Sequence, residues 1–217
     1  MIAVIIPAHN EAETLGRCLA AVQLAARAAE GAGHQVEVIV VLDGCSDASG
    51  EIAAGFGVGT LEVDVRNVGK ARRAGAALML ERGARWLACT DADSCVPPDW
   101  LLCQLDCAAD AVCGTVHVEQ WQPQHDAAFQ ALYLSRYEAR EGHRHIHGAN
   151  LGICAIAYQR VGGFQPLALN EDVQLISDLE ACGARIVWTA RNSVSTSSRL
   201  DSRARGGFGD YLRSLGS

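Results

Sequence analysis

The chain is almost without lysine: Lys70 is its single one, and arginine supplies every other basic side chain. It also lacks any apolar run near the ~20 residues that a membrane-spanning helix needs. Its opening Met1-Ile2-Ala3-Val4-Ile5-Ile6 has no basic flank of the signal-peptide kind. These absences predict a cytoplasmic protein with no transmembrane segment, a peripheral place at a membrane surface being left open. No Cys-x-x-Cys pair occurs, and the cysteine count of nine is odd, so buried reduced thiols are expected rather than a disulfide framework. Positive charge is not in surplus either. A net charge of −7 excludes nucleic acid as a general partner, because a phosphate backbone rewards a basic surface. There is no internal repeat, low-complexity segment or linker.

What is present is enough for one sizeable core: 217 residues, 49% hydrophobic, predicting one domain rather than two. Strand-like runs fall at 2–6, 36–42, 60–65, 85–90, 112–118 and 185–189. Helical patterns fill most intervals, at 11–30, 47–55, 70–83, 97–110, 125–141 and 171–183. Val36-Glu37-Val38-Ile39-Val40-Val41-Leu42 is nearly continuous in its apolar character, as strands covered on both faces are. The fold class is therefore α/β, a mostly parallel central sheet with helices on both faces. Residues 143–157 and 190–207 resist assignment, and such segments over a rigid sheet are where binding loops lie. From Arg185 onward six arginines face only Asp201 and Asp210, a locally basic stretch that suits an anionic ligand or a solvated face.

Polar groups gather at predicted strand ends, the edge where open α/β sheets bind ligands. The first strand runs into Pro7-Ala8-His9-Asn10-Glu11, where Asn10 can cap a helix and Glu11 suits its positive end. The second runs into Asp43-Gly44-Cys45-Ser46-Asp47, where Gly44 permits a tight turn, Ser46 or Asp47 can cap the next helix, and Asp43 could accept from a base N–H or a ribose hydroxyl. The third crossover, Asn67-Val68-Gly69-Lys70-Ala71-Arg72-Arg73-Ala74-Gly75, sets cations in a first helical turn, against the dipole. An anion there would relieve the conflict, making Lys70, Arg72 and Arg73 candidate diphosphate contacts, of which helix geometry lets at most two face one ligand. The fourth strand ends in Asp91-Ala92-Asp93, hard oxygen ligands that could hold Mg²⁺ or Mn²⁺ against a phosphate, or could simply cap a turn and a helix. Farther on come His147-Gly148-Ala149-Asn150 and Asn170-Glu171-Asp172. Acids favour helix starts, so the second admits a structural role as well. His143, His145 and His147 alternate as they would on one strand face, a weak pattern for zinc because alternating side chains diverge.

Taken in order, these motifs resemble the family 2 glycosyltransferases, inverting enzymes of the Rossmann-like GT-A fold, over essentially the whole chain. Pro7, Asn10 and Glu11 match the family's Pro-x-x-Asn-Glu opening; Asp43-Gly44-Cys45-Ser46-Asp47 matches its Asp-Gly-Ser-x-Asp segment, with Cys45 shifting the serine and Leu42 where many relatives have a second acid. Gly69-Lys70-Ala71-Arg72-Arg73-Ala74-Gly75 matches its Gly-x-Ala-x-x-x-Gly helix. The resemblance implies a nucleotide-sugar-binding half (1–95), an acceptor-side half (96–189) and a flexible basic segment (190–217). It further implies a donor site of Pro7, Asn10, Glu11, Asp43, Lys70, Arg72 and Asp91; metal ligation by Asp93 and Asp91; an acceptor side at His147, Gly148 and Asn150; and Asp172 as base, oriented by Glu171. The Gln-x-x-Arg-Trp motif and membrane helices of processive synthases are missing, which implies a single sugar transfer from a nucleoside diphosphate sugar to an acceptor hydroxyl on a small molecule, lipid or glycan. Thr196 to Phe208, with Arg199 and Arg205, is the candidate lid that would exclude water. Two alternatives share the strand-end site: a sugar-phosphate nucleotidyltransferase, whose Gly-rich basic N-terminal loop is missing here, and a catalytically silent nucleotide-sugar sensor, against which Glu171-Asp172 speaks.

Overall fold

The first strand is apolar at nearly every position because it is covered on both faces. In β1 (Ile2–Ala8), Ile2, Val4, Ile6 and Ala8 belong to one core and Ala3 and Ile5 to another, as the two-residue period of a strand requires. The computed structural model describes residues 1–199 and 208–215. After β1 follow α1 (Ala12–Gly31), β2 (Val36–Asp43), α2 (Ser49–Gly55), β3 (Gly59–Val63), α3 (Val68–Glu81), β4 (Trp86–Cys89), α4 (Trp100–Asp106) and β5 (Ala111–His117). Then come α5 (Ala127–Arg136), β6 (Leu151–Cys154), α6 (Ala155–Arg160), α7 (Glu171–Ala181), β7 (Ile186–Ser195) and α8 (Phe208–Leu215). Among the described residues the strands form one seven-stranded sheet in the order β3-β2-β1-β4-β6-β5-β7. Only β6 runs against its neighbours. The mostly parallel α/β architecture expected from the periodicity is what forms.

Side chains of α1, α2 and α4 pack with the even-numbered face of β1, and those of α3, α6 and α7 with the odd-numbered face. The approach of α3 is close. A Cβ on Gly75 would lie 2.8 Å from Val41 Cγ2 and 2.9 Å from Ile5 Cγ2, so glycine there lets the helix backbone rest on the sheet. A third cluster stands apart, with Tyr133 of α5 and Leu212 and Leu215 of α8 at its centre. No helix among the described residues is long and apolar enough to cross a membrane.

Three features depart from the periodicity. β6 is four residues long with Gly152 at its second position, too short to produce an alternation. β7 extends to Ser195 past an irregularity opposite Gly114/Thr115. Residues 143–147 are not a strand at all; the three histidines share a side because their rings stack, at 5.5 Å between His143 and His145 and 5.9 Å between His145 and His147. The reversal of β6 matters for the site. Its first residue, Leu151, pairs with Cys89 at the end of β4, so the preceding His147-Gly148-Ala149-Asn150 arrives at the same sheet edge as Asp91.

Candidate active site

At that edge lies a cavity of about 890 Å³. Pro7, Glu11, Asp43, Arg72, Asp91, Asp93, His147, Gly148, Glu171, Asp172 and Arg199 all line it. Asn10, Lys70 and Asn150 do not, and Arg205 lies outside the described residues, as does most of the candidate lid.

Two arginines organise the carboxylates. Arg72 is buried and donates to both Glu171 and Asp91. Burial works against its charge, but Asp91 and Glu171 outweigh it, so the guanidinium is held protonated more firmly than a free arginine. Glu171 is pushed up by burial and drawn back by Arg72. Arg72 is therefore a fixed internal brace and not the free phosphate contact its place in the first turn of α3 implied. The backbone packs closely over it: a Cβ on Gly148 would sit 2.4 Å from the guanidinium carbon, so Gly148 is glycine to let the backbone cover Arg72. Likewise a Cβ on Gly69 would come within 2.8 Å of Glu171 Cγ. Arg199 makes the second bridge. It donates to both carboxylate oxygens of Glu11, at 2.8 and 2.6 Å, and lies 3.1 Å from Asp93 Oδ2. The two acids of Asp91-Ala92-Asp93 are thus handed to different arginines. Asp93 is pushed up to about 6, by burial first and then by Asp91 and Glu11, with Arg199 pulling the other way.

Asp43 serves mainly as a loop anchor. Its Oδ1 accepts from Val65 and Arg66 N–H at 2.7 and 2.8 Å, and its Oδ2 from Asn67 N–H at 2.9 Å. This holds Arg66 at a left-handed φ of 45° and delivers Asn67 to cap α3, where its Oδ1 accepts from Lys70 N–H. Three of about four acceptor positions are used, leaving Oδ2 alone with room for a ligand donor. Asp43→Ala is expected to strand three backbone N–H groups and to cost ~2–4 kcal/mol in urea unfolding, well above a surface substitution. Asn10 does not cap α1. At φ 54° its Oδ1 accepts from Ser46 N–H, and Ala12 N–H is given to Asp47 instead. Lys70 is exposed and is not among the residues that line the cavity.

On the other side, Asp172 Oδ2 accepts from Gly148 N–H at 2.8 Å and Oδ1 from Val173 N–H. The carboxylate is fixed, yet each oxygen keeps a free acceptor position. Asn170, at φ 58°, makes no side-chain cap and leaves the first turn of α7 to Glu171 and Asp172. Asn150 is corrected from acceptor contact to structural crosslink. It is fully buried, gives its two N–H groups to Thr115 and Asn192 carbonyls at 2.8 and 2.6 Å, and accepts from Trp100 Nε1 at 2.9 Å. Asn150→Ala is expected to cost roughly 1–3 kcal/mol in urea unfolding, through the donors and acceptors left unpaired. His147 Nε2 is 2.9 Å from the Tyr137 hydroxyl, which itself accepts from Val116 N–H. The imidazole is pushed down to about 3 by burial and by His145 and His143, so the Tyr137–His147 hydrogen bond joins two neutral groups. Tyr137 was not foreseen. Its signal was the Tyr133/Tyr137 pair, one helical turn apart and just ahead of the alternating histidines.

The family model for glycosyl transferase family 2 matches residues 3–160. The chain belongs to glycosyl transferase family 2. No curated protein sequence matches it. Among solved structures, S. aureus TarS 1–349 in complex with UDP-GlcNAc superposes with TM-score 0.68 at 15% identity, over 95% of this chain and 61% of that one. The mannosyltransferase PcManGT from Pyrobaculum calidifontis, in complex with GDP-Man and Mn²⁺, gives 0.66 at 18% identity, over 94% and 58%. Glucosyl-3-phosphoglycerate synthase from Mycobacterium tuberculosis, in complex with phosphoglyceric acid, gives 0.65 at 16% identity, over 99% and 79%. The family 2 chain therefore shares the GT-A fold of these proteins while spanning about three fifths of the TarS and PcManGT chains.

Within the family 2 frame the charge of the cavity bears on a cation. Glu11, Asp43, Asp91, Asp93, Glu171 and Asp172 line it against Arg66, Arg72 and Arg199, six acids to three guanidiniums among the described residues. Those residues hold no group of three His, Cys, Asp or Glu able to bind a metal unaided. Two hard carboxylates suit Mg²⁺ or Mn²⁺, which commonly takes one or two such ligands and completes its shell with substrate phosphates and water. Asp93, raised first by burial and then by Asp91 and Glu11 even with Arg199 beside it, is a carboxylate that further positive charge would favour.

Proposed function

We propose that the chain is a metal-dependent, inverting, non-processive glycosyltransferase that moves one sugar from a nucleoside diphosphate sugar to an acceptor hydroxyl. The observation that carries this reading is that Asp172 and the Asp91-Ala92-Asp93 turn line one cavity from different elements, α7 and the end of β4. Pro7 and the loop tied down by Asp43 would hold the nucleoside. Asp93, with Asp91, would hold Mg²⁺ or Mn²⁺, which when bound supplies Lewis-acid charge against the departing diphosphate. Arg199, already the guanidinium nearest Asp93, would meet the diphosphate oxygens. Asp172 would accept the proton as the acceptor oxygen bonds to the anomeric carbon and the bond to the diphosphate oxygen breaks, on the face opposite the leaving group. Glu171 acts through Arg72 and the shared first turn of α7 to keep Asp172 in place.

A thermal-shift panel of nucleotide sugars tests this. With Mn²⁺ and a preferred donor at 100 times its dissociation constant, ~2.7 kcal/mol of added stability is expected, roughly 5–10 °C in Tm for a chain of this size. EDTA should abolish the shift. A panel with no metal-dependent shift for any donor would overturn the reading.

A further inference from the structure

Beyond Asp172 the cavity wall changes character. Tyr137, His147, Leu169, Val173, Phe208 and Tyr211 line it there. Three of these are large apolar residues open to solvent, Leu169 at 41%, Val173 at 43% and Tyr211 at 36%. Single exposed apolar side chains are ordinary; three of the eight such residues among the described ones lining one cavity is a concentration of the kind that marks binding sites. Deeper in, the surface is polar and uncharged. The Tyr137 hydroxyl is engaged with His147, and His145, stacked on Tyr137 at 4.2 Å, has a buried Nε2 with no hydrogen-bond partner.

The charges next to Asp172 work against an anion. Glu171 adjoins it in sequence, Asp91 is near enough to share Arg72 with Glu171, and Arg72 and Arg199 each already bridge two carboxylates. With the donor diphosphate taking what Arg199 has left and Arg72 held by Asp91 and Glu171, a phosphate or carboxylate on the acceptor would meet acids with no counter-charge to spare. Resting on the glycosyl-transfer reading, we propose that the acceptor is an uncharged amphiphile: a neutral polar head presents its hydroxyl to Asp172 between His147 and Tyr137, while an apolar portion lies over Leu169, Val173 and Tyr211. The same chemistry is found in free amphiphiles and in neutral lipids within a bilayer.

Calorimetric titration without donor tests the class. The probes are octyl β-glucoside below its micelle concentration, methyl β-glucoside, and octyl phosphate. The octyl glucoside should bind at least tenfold more tightly than either of the others, about 1.4 kcal/mol. Leu169→Ser/Val173→Ser, two exposed positions, should lose that tenfold gain with Tm unchanged, and Leu134→Ser, exposed elsewhere, should keep it. Equal binding of the octyl and methyl glucosides, tighter binding of octyl phosphate, or a gain that survives in the double variant would each overturn the proposal. Co-sedimentation with zwitterionic vesicles carrying a neutral glycolipid separates the two sources: binding there points to the bilayer, and its absence beside tight octyl glucoside binding points to a free acceptor. Nucleoside diphosphate binding with Mn²⁺, titrated on the same samples, reports on the transfer reading separately. Samples that bind nucleotide but show no chain-length gain defeat the acceptor class alone.

Discussion

Asp172→Asn is expected to lower sugar transfer by ~10²–10⁴-fold, the range that a general base supplies, while nucleotide affinity changes less than about twofold. The amide keeps the shape of the carboxylate and can still accept from Gly148 N–H through its oxygen, giving up only the bond from Val173 N–H. It has no way to take the acceptor proton. Turnover of a labelled donor, set beside the dissociation constant for the nucleoside diphosphate with Mn²⁺, separates the two effects. Transfer at the parent rate would remove Asp172 from the mechanism. Glu171→Gln should behave differently, because Glu171 is buried against Arg72 and its loss is felt in stability as well as in rate.

Arg72→Met is expected to carry the largest stability cost of any single change at the site, about 3–5 kcal/mol, because breaking a buried pair from one side leaves the other charge uncompensated. Glu171 bears most of that cost, being 6% exposed at its side chain where Asp91 is 35% exposed and can turn to water. The measurement is a guanidinium denaturation midpoint, with an unchanged slope marking a true stability effect. Set against a typical total of about 5–15 kcal/mol, the loss is a large fraction of the whole. Arg72→Lys should recover little, since an ammonium cannot reach two carboxylates in different directions with a planar fork. Adding Glu171→Met to Arg72→Met should restore part of the loss by removing the stranded charge. If Arg72→Met unfolds within about 0.5 kcal/mol of the parent, the brace has no energetic weight.

The strand ends were legible because their chemistry is local. An apolar run, a turn and a carboxylate occupy adjacent positions, as in Trp86 to Asp93, and the sheet edge then collects several such ends without further information. What was not legible is what side chains do across the fold. Arg72 looks from sequence like a phosphate ligand; its partner Glu171 is 99 residues on. Asn150 lies in a motif shared with acceptor-side residues, but nothing local says that its amide faces Trp100 and two carbonyls. Lys70 and Arg72 are two residues apart on one helix, 200° around it, and only packing decides that the second enters the cavity. β6 carries too few residues to announce itself, and its reversal is imposed by its neighbours.

The Glu11–Arg199 bridge joins residues 188 positions apart, which gives the site an order of assembly. As the chain leaves the ribosome, β1, β2 and β4 can pair long before Arg199 exists, bringing Glu11, Asp91 and Asp93 together with one of their two counter-cations still unmade. Native contacts of such long separation form late. The N-terminal half should therefore pass through a stage in which its sheet is built but its catalytic edge is loosened by repulsion, and amide protons around residues 91–94 should gain protection after those of β1.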